Sequence, residues 1–431
     1  MRNSITKWIP ALILITILCC SSFIKAKSDP LRKSSLLEII TLQIINKSGL
    51  ALKDAVITIP IQKIKSKYPH FNEKIFIATE NGTELPSQTE DINGDKVPDN
   101  VVICVDLSPK QIKTVQLHHD GVAVLKKEFK KRTQAELAVK TGYEYKDGYY
   151  TSGKFEKVEE AVVPKTHFAH DALYKYEGPG WESDKVMYRF YLDSRNRNDI
   201  WGKKVDDVVL QRVGNEDLVS NSNESYSRMC DWGMDIFKVG ESLGIGSIGM
   251  WADDKVNPVE KTDKIVCKIP TDGIIKSDVF TNYYGWQIGT QKYDVSSLIS
   301  IEAGSRLSKE ELQITGDPPN ICTGIAKHEG CALITDNGKK EWGYIASYGL
   351  QSLAGDSLGL VIFYNKADLI KVTEDAASYI IILKPHSGKI GYYFGSAWQQ
   401  ELKGIKNKNE FIQYLGTTAS ELSNPVIYKL Q

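Results

Sequence analysis

An all-β fold is predicted for this chain: a small N-terminal β-sandwich, then two larger antiparallel sheets packed face to face, with one C-terminal helix. Three observations predict it. Apolar residues alternate with polar ones at a period of two along much of the 431 residues. The alternating runs are short and are divided by Gly, Pro, Asn and Asp clusters. Near the C-terminus, one stretch changes to helical spacing and carries its own cap signals.

The chain opens on a leader. Arg2 and Lys7 precede an apolar run from Ile9 to Cys20, and Ile24 and Ala26 stand at the two positions expected before a cleavage site. Residues 1–26 are therefore read as a signal peptide, and the mature protein as periplasmic or secreted. The apolar run is about half the ~20 residues of a spanning helix, so no membrane span is expected. Cys19 and Cys20 keep a lipoprotein anchor open as the alternative, although Leu18 fits that pattern poorly. The 54 basic and 54 acidic side chains balance in the full chain, and loss of the leader leaves 51 against 54, or −3. Such a chain has no basic footprint for nucleic acid.

Residues 27–122 are assigned to the first sandwich. Ile40, Leu42 and Ile44 alternate, as do Ala55, Ile57 and Ile59, and Val101–Leu107 and Lys113–Leu117 continue the pattern. Between strands, Asp91, Asn93, Asp95 and Asp99 have the spacing of a calcium loop. Lys96 replaces the usual Gly and Val102 the closing Glu, so a polar turn is favoured and calcium kept as a weak alternative; no other cofactor is predicted. The lysine-rich stretch 126–132 leads into a second domain, 126–431. There Tyr143–Tyr150, with Lys-Asp-Gly inside it, reads as a hairpin. Strands are expected at Val186–Asp193, Val208–Val213, Asp235–Val239, Ser247–Ala252, Ile265–Pro270, Asp278–Tyr284, Leu298–Ala303, Cys331–Asp336, Leu358–Tyr364, Tyr379–Leu383 and Lys389–Phe394. Asn407 with Glu410 forms a capping box for a helix that carries Phe411, Leu415, Ala419 and Leu422 and stops at Pro425. Cys104, Cys230, Cys267, Cys322 and Cys331 are odd in number, so at least one stays unpaired. Buried free thiols are expected, with a Cys322–Cys331 bridge as the alternative.

Chemistry concentrates in residues 166–204. If Val186–Asp193 is a strand, Val186, Tyr188, Phe190 and Leu192 share a core face. Met187, Arg189, Tyr191 and Asp193 share the other, where a guanidinium, a phenol and a carboxylate follow one another about 7 Å apart. Such a row suits an anionic sugar, since Arg grips a carboxylate through two parallel bonds and Tyr stacks or moves a proton. A cross-strand ion-pair ladder is the competing structural reading. His167 and His170 form H-x-x-H, for which one site residue and one structural residue are expected, and no metal. His328 is a second loop histidine. Gly178-Pro179-Gly180-Trp181 reads as a loop that brings backbone and indole to a ligand. Gly244, Gly246 and Gly249 form G-x-G-x-x-G, but no βαβ unit surrounds them and a dinucleotide site is rejected. The catalytic candidates are His170, Tyr191, Arg189 and His328. The substrate-binding candidates are Trp181, Glu182, Asp193, Arg195, His167 and Trp286. Paired carboxylates for glycoside hydrolysis, with Glu182, Asp193, Asp231, Asp235 and Glu241 available, stay open as the alternative.

The runs EGPGWESDKVMYRFYLD, DWGMDIFKVGESLGIGSIGMW and YYFGSAWQQELKGIKNKNEFIQYL resemble the bacterial family catalogued as domain of unknown function 4861. The resemblance spans the mature chain. It implies secreted Bacteroidetes proteins encoded beside polysaccharide-degrading enzymes, and a galactose-mutarotase-like supersandwich after the small sandwich. It also implies action on uronic-acid-containing glycans, by β-elimination or dehydration. A glycoside hydrolase and a non-catalytic glycan-binding protein are the alternatives. The expected partner is an anionic oligosaccharide, bound by a monomer. Ser194 departs from the family pattern, which has Trp there.

Overall fold

The computed structural model describes residues 39–119, 127–214, 224–336 and 338–431. The leader, with Cys19 and Cys20, and the boundary at 122 lie outside the described residues. The first alternating runs form a sandwich. One sheet contains, in order, strands Ile427–Leu430, Ile39–Ile45, Ile112–His119, Phe76–Glu80 and Thr83–Leu85; the other contains Leu52–Pro60, Asn100–Leu107 and Ser87–Glu90. Ile40, Leu42, Ile44, Ile57, Ile59, Ile103 and Leu117 fill the space between them. The C-terminal strand closes the edge of the N-terminal sheet, with Ile44 paired to Tyr428.

The rest of the chain builds a larger sandwich of antiparallel sheets. A nine-stranded sheet includes the long strands Lys264–Asp272, Lys276–Ile288, Gln291–Glu302, Leu307–Ile314, Lys389–Trp398, Ser357–Asn365 and Trp342–Leu350. Two five-stranded sheets supply the opposing layer. One runs Gly233–Asp235, Asn198–Lys203, Val186–Phe190, Gly180–Ser183 and Thr133–Glu136. The other runs Lys255–Pro258, Gly249–Ala252, Ile321–Ala326, Ser378–Leu383 and Leu369–Glu374. Trp181, Tyr188, Phe190, Ile200, Val279, Trp286, Ile299, Ile325, Leu360, Ile381 and Phe394 pack into one shared core. Burying rings of this size removes roughly 150–250 Å² of surface each from water, which makes this layer the main stabilising contact.

On its outer face the nine-stranded sheet is covered by helix Lys408–Leu422. Asn407 caps it by accepting from the Glu410 N–H at 3.0 Å, and Glu410 reaches back to the Lys406 N–H at 2.8 Å. Phe411, Leu415 and Ala419 point into a cluster with Tyr348, Phe363 and Ala397. The hairpin also forms: Glu144–Lys146 pairs with Tyr149–Thr151, and Asp147 and Gly148 both take positive φ, as the two-residue turn requires.

Several boundaries differ from expectation. Val208–Val213 is not a strand; it holds a 3₁₀ turn at Leu210–Arg212, whose N–H at Leu210 is taken by the buried Glu182 carboxylate. Strand Val186–Phe190 ends three residues early, because the N–H groups of Tyr191 and Leu192 turn to the Arg197 and Glu177 carbonyls. Of Asp235–Val239 only Asp235 lies in a strand, Gly233–Asp235, and of Cys331–Asp336 only Ile334–Thr335. Strands Leu307–Ile314, Ile321–Ala326, Trp342–Leu350 and Leu369–Glu374 and helix Ile61–Lys67 lie outside the expected elements. The five cysteines Cys104, Cys230, Cys267, Cys322 and Cys331 are free thiols, so Cys322 and Cys331 form no bridge.

Candidate functional site

Strands Val186–Phe190 and Asn198–Lys203 set Arg189 directly opposite Asp199. Both faces of this sheet are covered, so the Met187–Arg189 side is buried rather than an open row. Arg189 donates from Nε and Nη2 to Asp199 Oδ2 at 3.1 and 2.8 Å. It also donates from Nη2 to Asp235 Oδ2 at 3.1 Å and from Nη1 to the Tyr226 hydroxyl at 3.0 Å. The Tyr191 hydroxyl donates to the same Asp199 oxygen at 2.5 Å. Burial, then the neighbouring Asp199 charge, pushes Asp235 up to about 8, so at neutral pH its carboxyl holds a proton. Burial and Asp199 likewise push the Tyr191 phenol well above its ordinary value.

A second layer joins this network to solvent. Arg195 donates to Asp193 from Nε at 2.9 Å and from Nη2 at 2.6 Å, and to Glu177 at 3.0 Å, while its guanidinium lies 3.9 Å over the Tyr191 ring. Glu177 also stands 3.7 Å from Arg189 and forms an ion pair with His170 Nδ1. Burial pushes the Glu177 carboxyl up, but His170, Arg189 and Arg195 together hold it down to about 2. The bond to Glu177 raises His170 above the ordinary imidazole value. The His170 side chain is 58% exposed and that of Arg195 31%, against 8% for Glu177. His170, Ala172, Glu177 and Asn196 all adopt positive φ without being glycine. Such backbone costs of order 1 kcal/mol or more per residue and persists only where the surroundings over-determine it.

The structure therefore brings His170, Arg189, Tyr191, Asp193 and Arg195 together. The remaining candidates are placed elsewhere. His167 is buried and bonded to Asp171 at 2.7 Å. Trp181 lies in the core, donates to Ser308 at 2.8 Å and stacks on Tyr188. Glu182 is enclosed with Lys203, 2.5 Å away, and accepts the N–H groups of Val209 and Leu210. Trp286 is fully buried and donates to the Pro258 carbonyl at 3.0 Å. Gly178 presses on its own chain: a Cβ there would collide with the Phe190 carbonyl, so the Gly-Pro-Gly loop serves backbone packing. Gly244 and Gly246 do the same against Asn198 and Phe394. His328 packs 5.7 Å from Phe237, whose N–H bonds Asp235.

Three members of the network are visible in the sequence only as charges. Glu177 and Asp199 stand in the same dense segment, and Asp235 among the available carboxylates, without a signal for their shared guanidinium. Tyr226 has no signal at all. In the polar loop, Asp91 accepts the N–H groups of Asn93, Gly94 and Lys96, Asn93 that of Asp95, Asp95 that of Val97 and Asp99 that of Ile92. Its oxygens thus build a self-capped turn. Among the described residues no group of three or more His, Cys, Asp or Glu side chains is placed to hold a metal ion, and no helix is long and apolar enough to cross a membrane.

No curated protein matches the chain. Two solved structures are similar over 91% of it at 8% identity and a TM-score of 0.43: a protein in the glycosyl hydrolase family 38 and an alpha-mannosidase, both from Enterococcus faecalis. The chain covers 47% and 46% of these, so it spans about half their length. The family model described as "Domain of unknown function (DUF4861)" matches residues 44–427. The chain belongs to the DUF4861 family.

Proposed function

We propose that the protein is a carbohydrate-active enzyme that carries out β-elimination or dehydration on a uronic-acid-containing oligosaccharide. One observation carries this reading: an exposed imidazole and a partly exposed guanidinium share one buried carboxylate, Glu177. Elimination beside a carboxylate needs a base for the proton next to that carboxylate, and a cation to hold the carboxylate as charge develops on it. His170 is assigned the first task. Glu177 binds its Nδ1, which orients the ring. Arg195 is assigned the second: Nε and Nη2 are engaged by Asp193 and Glu177, and Nη1 is the nitrogen that faces the substrate carboxylate. Arg189 is committed to Asp199, Asp235 and Tyr226 and acts as a positioning residue. Tyr191 supports Arg195 with its ring and donates its hydroxyl to Asp199, which removes it as the base.

In the reaction, His170 takes the C5 proton, the C4–O bond breaks and a C4=C5 double bond forms. The protonated His170 returns that proton to the departing oxygen, which leaves as water or as a sugar hydroxyl. The test is purified protein incubated with uronate oligosaccharides and read by mass and ultraviolet absorbance. Loss of one water, or cleavage with a new conjugated double bond, is expected, and His170→Ala should slow it about a hundredfold. Cleavage that adds one water without new absorbance would instead establish hydrolysis. That second reading is supported by Asp235, a carboxyl that keeps its proton at neutral pH beside Asp199.

A further inference from the structure

The hairpin Glu144–Thr151 and its flanks present more aromatic surface to water than their packing uses. Tyr143, Tyr145, Tyr149 and Phe168 are 39–52% exposed. The rings divide between the two faces of the ribbon. On one face Tyr143 and Tyr145 hold their ring centroids 4.8 and 4.9 Å from the buried Tyr150. On the other, Tyr149 meets Phe168 edge-on at 5.6 Å and so fastens the ribbon to the segment that carries His170. Backbone bonds complete the attachment. The Tyr150 N–H donates to the Asp171 carbonyl at 2.9 Å, and Lys140 donates to the Leu173 and Tyr150 carbonyls at 2.8 and 2.7 Å. Tyr143 and Tyr145 are thus held in fixed relation to the exposed imidazole.

We infer that this hairpin is a stacking platform for the non-reacting sugars of the substrate chain. The occupant is a uronate-containing oligo- or polysaccharide, not a monosaccharide; this rests on the proposed role of His170. Exposed rings contribute little to folding, because their faces stay in water. Tyr143 and Tyr145, two residues apart along the ribbon, are separated by about 7 Å, so a chain lying along it meets successive rings. Aromatic faces suit the C–H faces of sugar rings, and the phenol hydroxyls suit their oxygens. Exposed Glu144, Lys146, Asp147 and Lys154 interrupt the rings. A stable protein interface has instead a core depleted of charge. Lys154 is paired with Glu156 at 2.6 Å, which leaves Lys146 at the turn as the cation that complements a uronate carboxylate.

The test uses polygalacturonate, alginate and chondroitin fragments graded from dimer to octamer. Binding is read by calorimetry with the wild type and with His170→Ala, which separates binding from chemistry. At least one octamer is expected to bind about tenfold or more tightly than its dimer. Tyr143→Ala with Tyr145→Ala should remove that gain and leave dimer affinity unchanged, while lowering the melting temperature by no more than a few degrees for the two lost contacts with Tyr150. Tyr143→Leu with Tyr145→Leu, which keep apolar area without a ring, should fail equally. Length-independent binding, retention of the gain in the double variants, or no binding of any fragment would overturn the platform. Tyrosine-dependent octamer binding without conversion would preserve the platform and remove the proposed reaction. Conversion that neither chain length nor the tyrosines affect would remove the platform alone.

Discussion

Asp235→Asn should make the protein more stable at neutral pH and flatten its stability profile. Asp235 sits with Asp199 on one Arg189 nitrogen, and burial pushes its carboxyl from 3.8 up to about 8. The sign follows from proton linkage. Between those values the folded state holds a proton that the unfolded chain has released, so stability is fully present below about pH 4 and is lost as pH rises toward 8. The limiting slope for one proton is about 1.4 kcal/mol per pH unit, or roughly 4 kcal/mol between pH 5 and 8. Asparagine keeps an acceptor for the Phe237 N–H and has no carboxyl proton to release, at the cost of the bond that Asp235 Oδ2 accepts from Arg189. Thermal unfolding of both proteins from pH 5 to 8 provides the assay. At roughly 1–2 °C per kcal/mol for a chain of this length, the variant should gain on the wild type by about 5 °C across that window. Parallel melting curves over the whole range would refute the proton held by Asp235.

His170→Ala should reduce turnover by about a hundredfold while changing stability by less than about 1 kcal/mol, because the ring is 58% exposed; paired kinetics and denaturant titration check both. Trp181→Ala should cost about 3–5 kcal/mol by removing a core ring and its bond to Ser308, measured by denaturant titration. Glu182→Gln should cost about 3 kcal/mol by leaving the Lys203 ammonium enclosed without its carboxylate, and calorimetric unfolding would record it.

The small sandwich is legible where a strand has one wet face: Ile39–Ile45 alternates in sequence as it does in burial, with Ile40, Leu42 and Ile44 inside. The helix is legible because Asn407 and Glu410 lie at cap spacing and Phe411, Leu415 and Ala419 on one side. Strand Ile321–Ala326 is not, because both its faces are buried and Cys322, Thr323 and Gly324 give no alternation. The pairing of Ile427–Leu430 with Ile39–Ile45 joins distant parts of the chain, and no local pattern encodes it. In the site, the local spacing of Arg189, Tyr191, Asp193 and Arg195 is informative. Their burial is not, since Asp235 and Tyr226 approach from other segments. Trp181 and Trp286 read as ligand contacts because an aromatic beside a glycine has the same sequence signature whether it faces a sugar or a core.

The charges of the site explain why its exposed member is a strong base. Arg189 and Arg195 supply two positive charges, while Glu177, Asp193 and Asp199 supply three negative ones once Asp235 holds its proton. A protonated His170 balances the set, and its bond to Glu177 raises its affinity for that proton. As a base it must first lose the proton, so turnover should rise with pH through a limb above 6.5, the ordinary imidazole value. Glu177→Gln removes one negative charge and leaves a neutral amide oxygen as the acceptor, and should move that limb down toward the ordinary value while lowering the rate above it. A pH–rate profile of kcat/KM for the two proteins reads this directly. An unmoved limb in Glu177→Gln would mean that the titrating base is not His170.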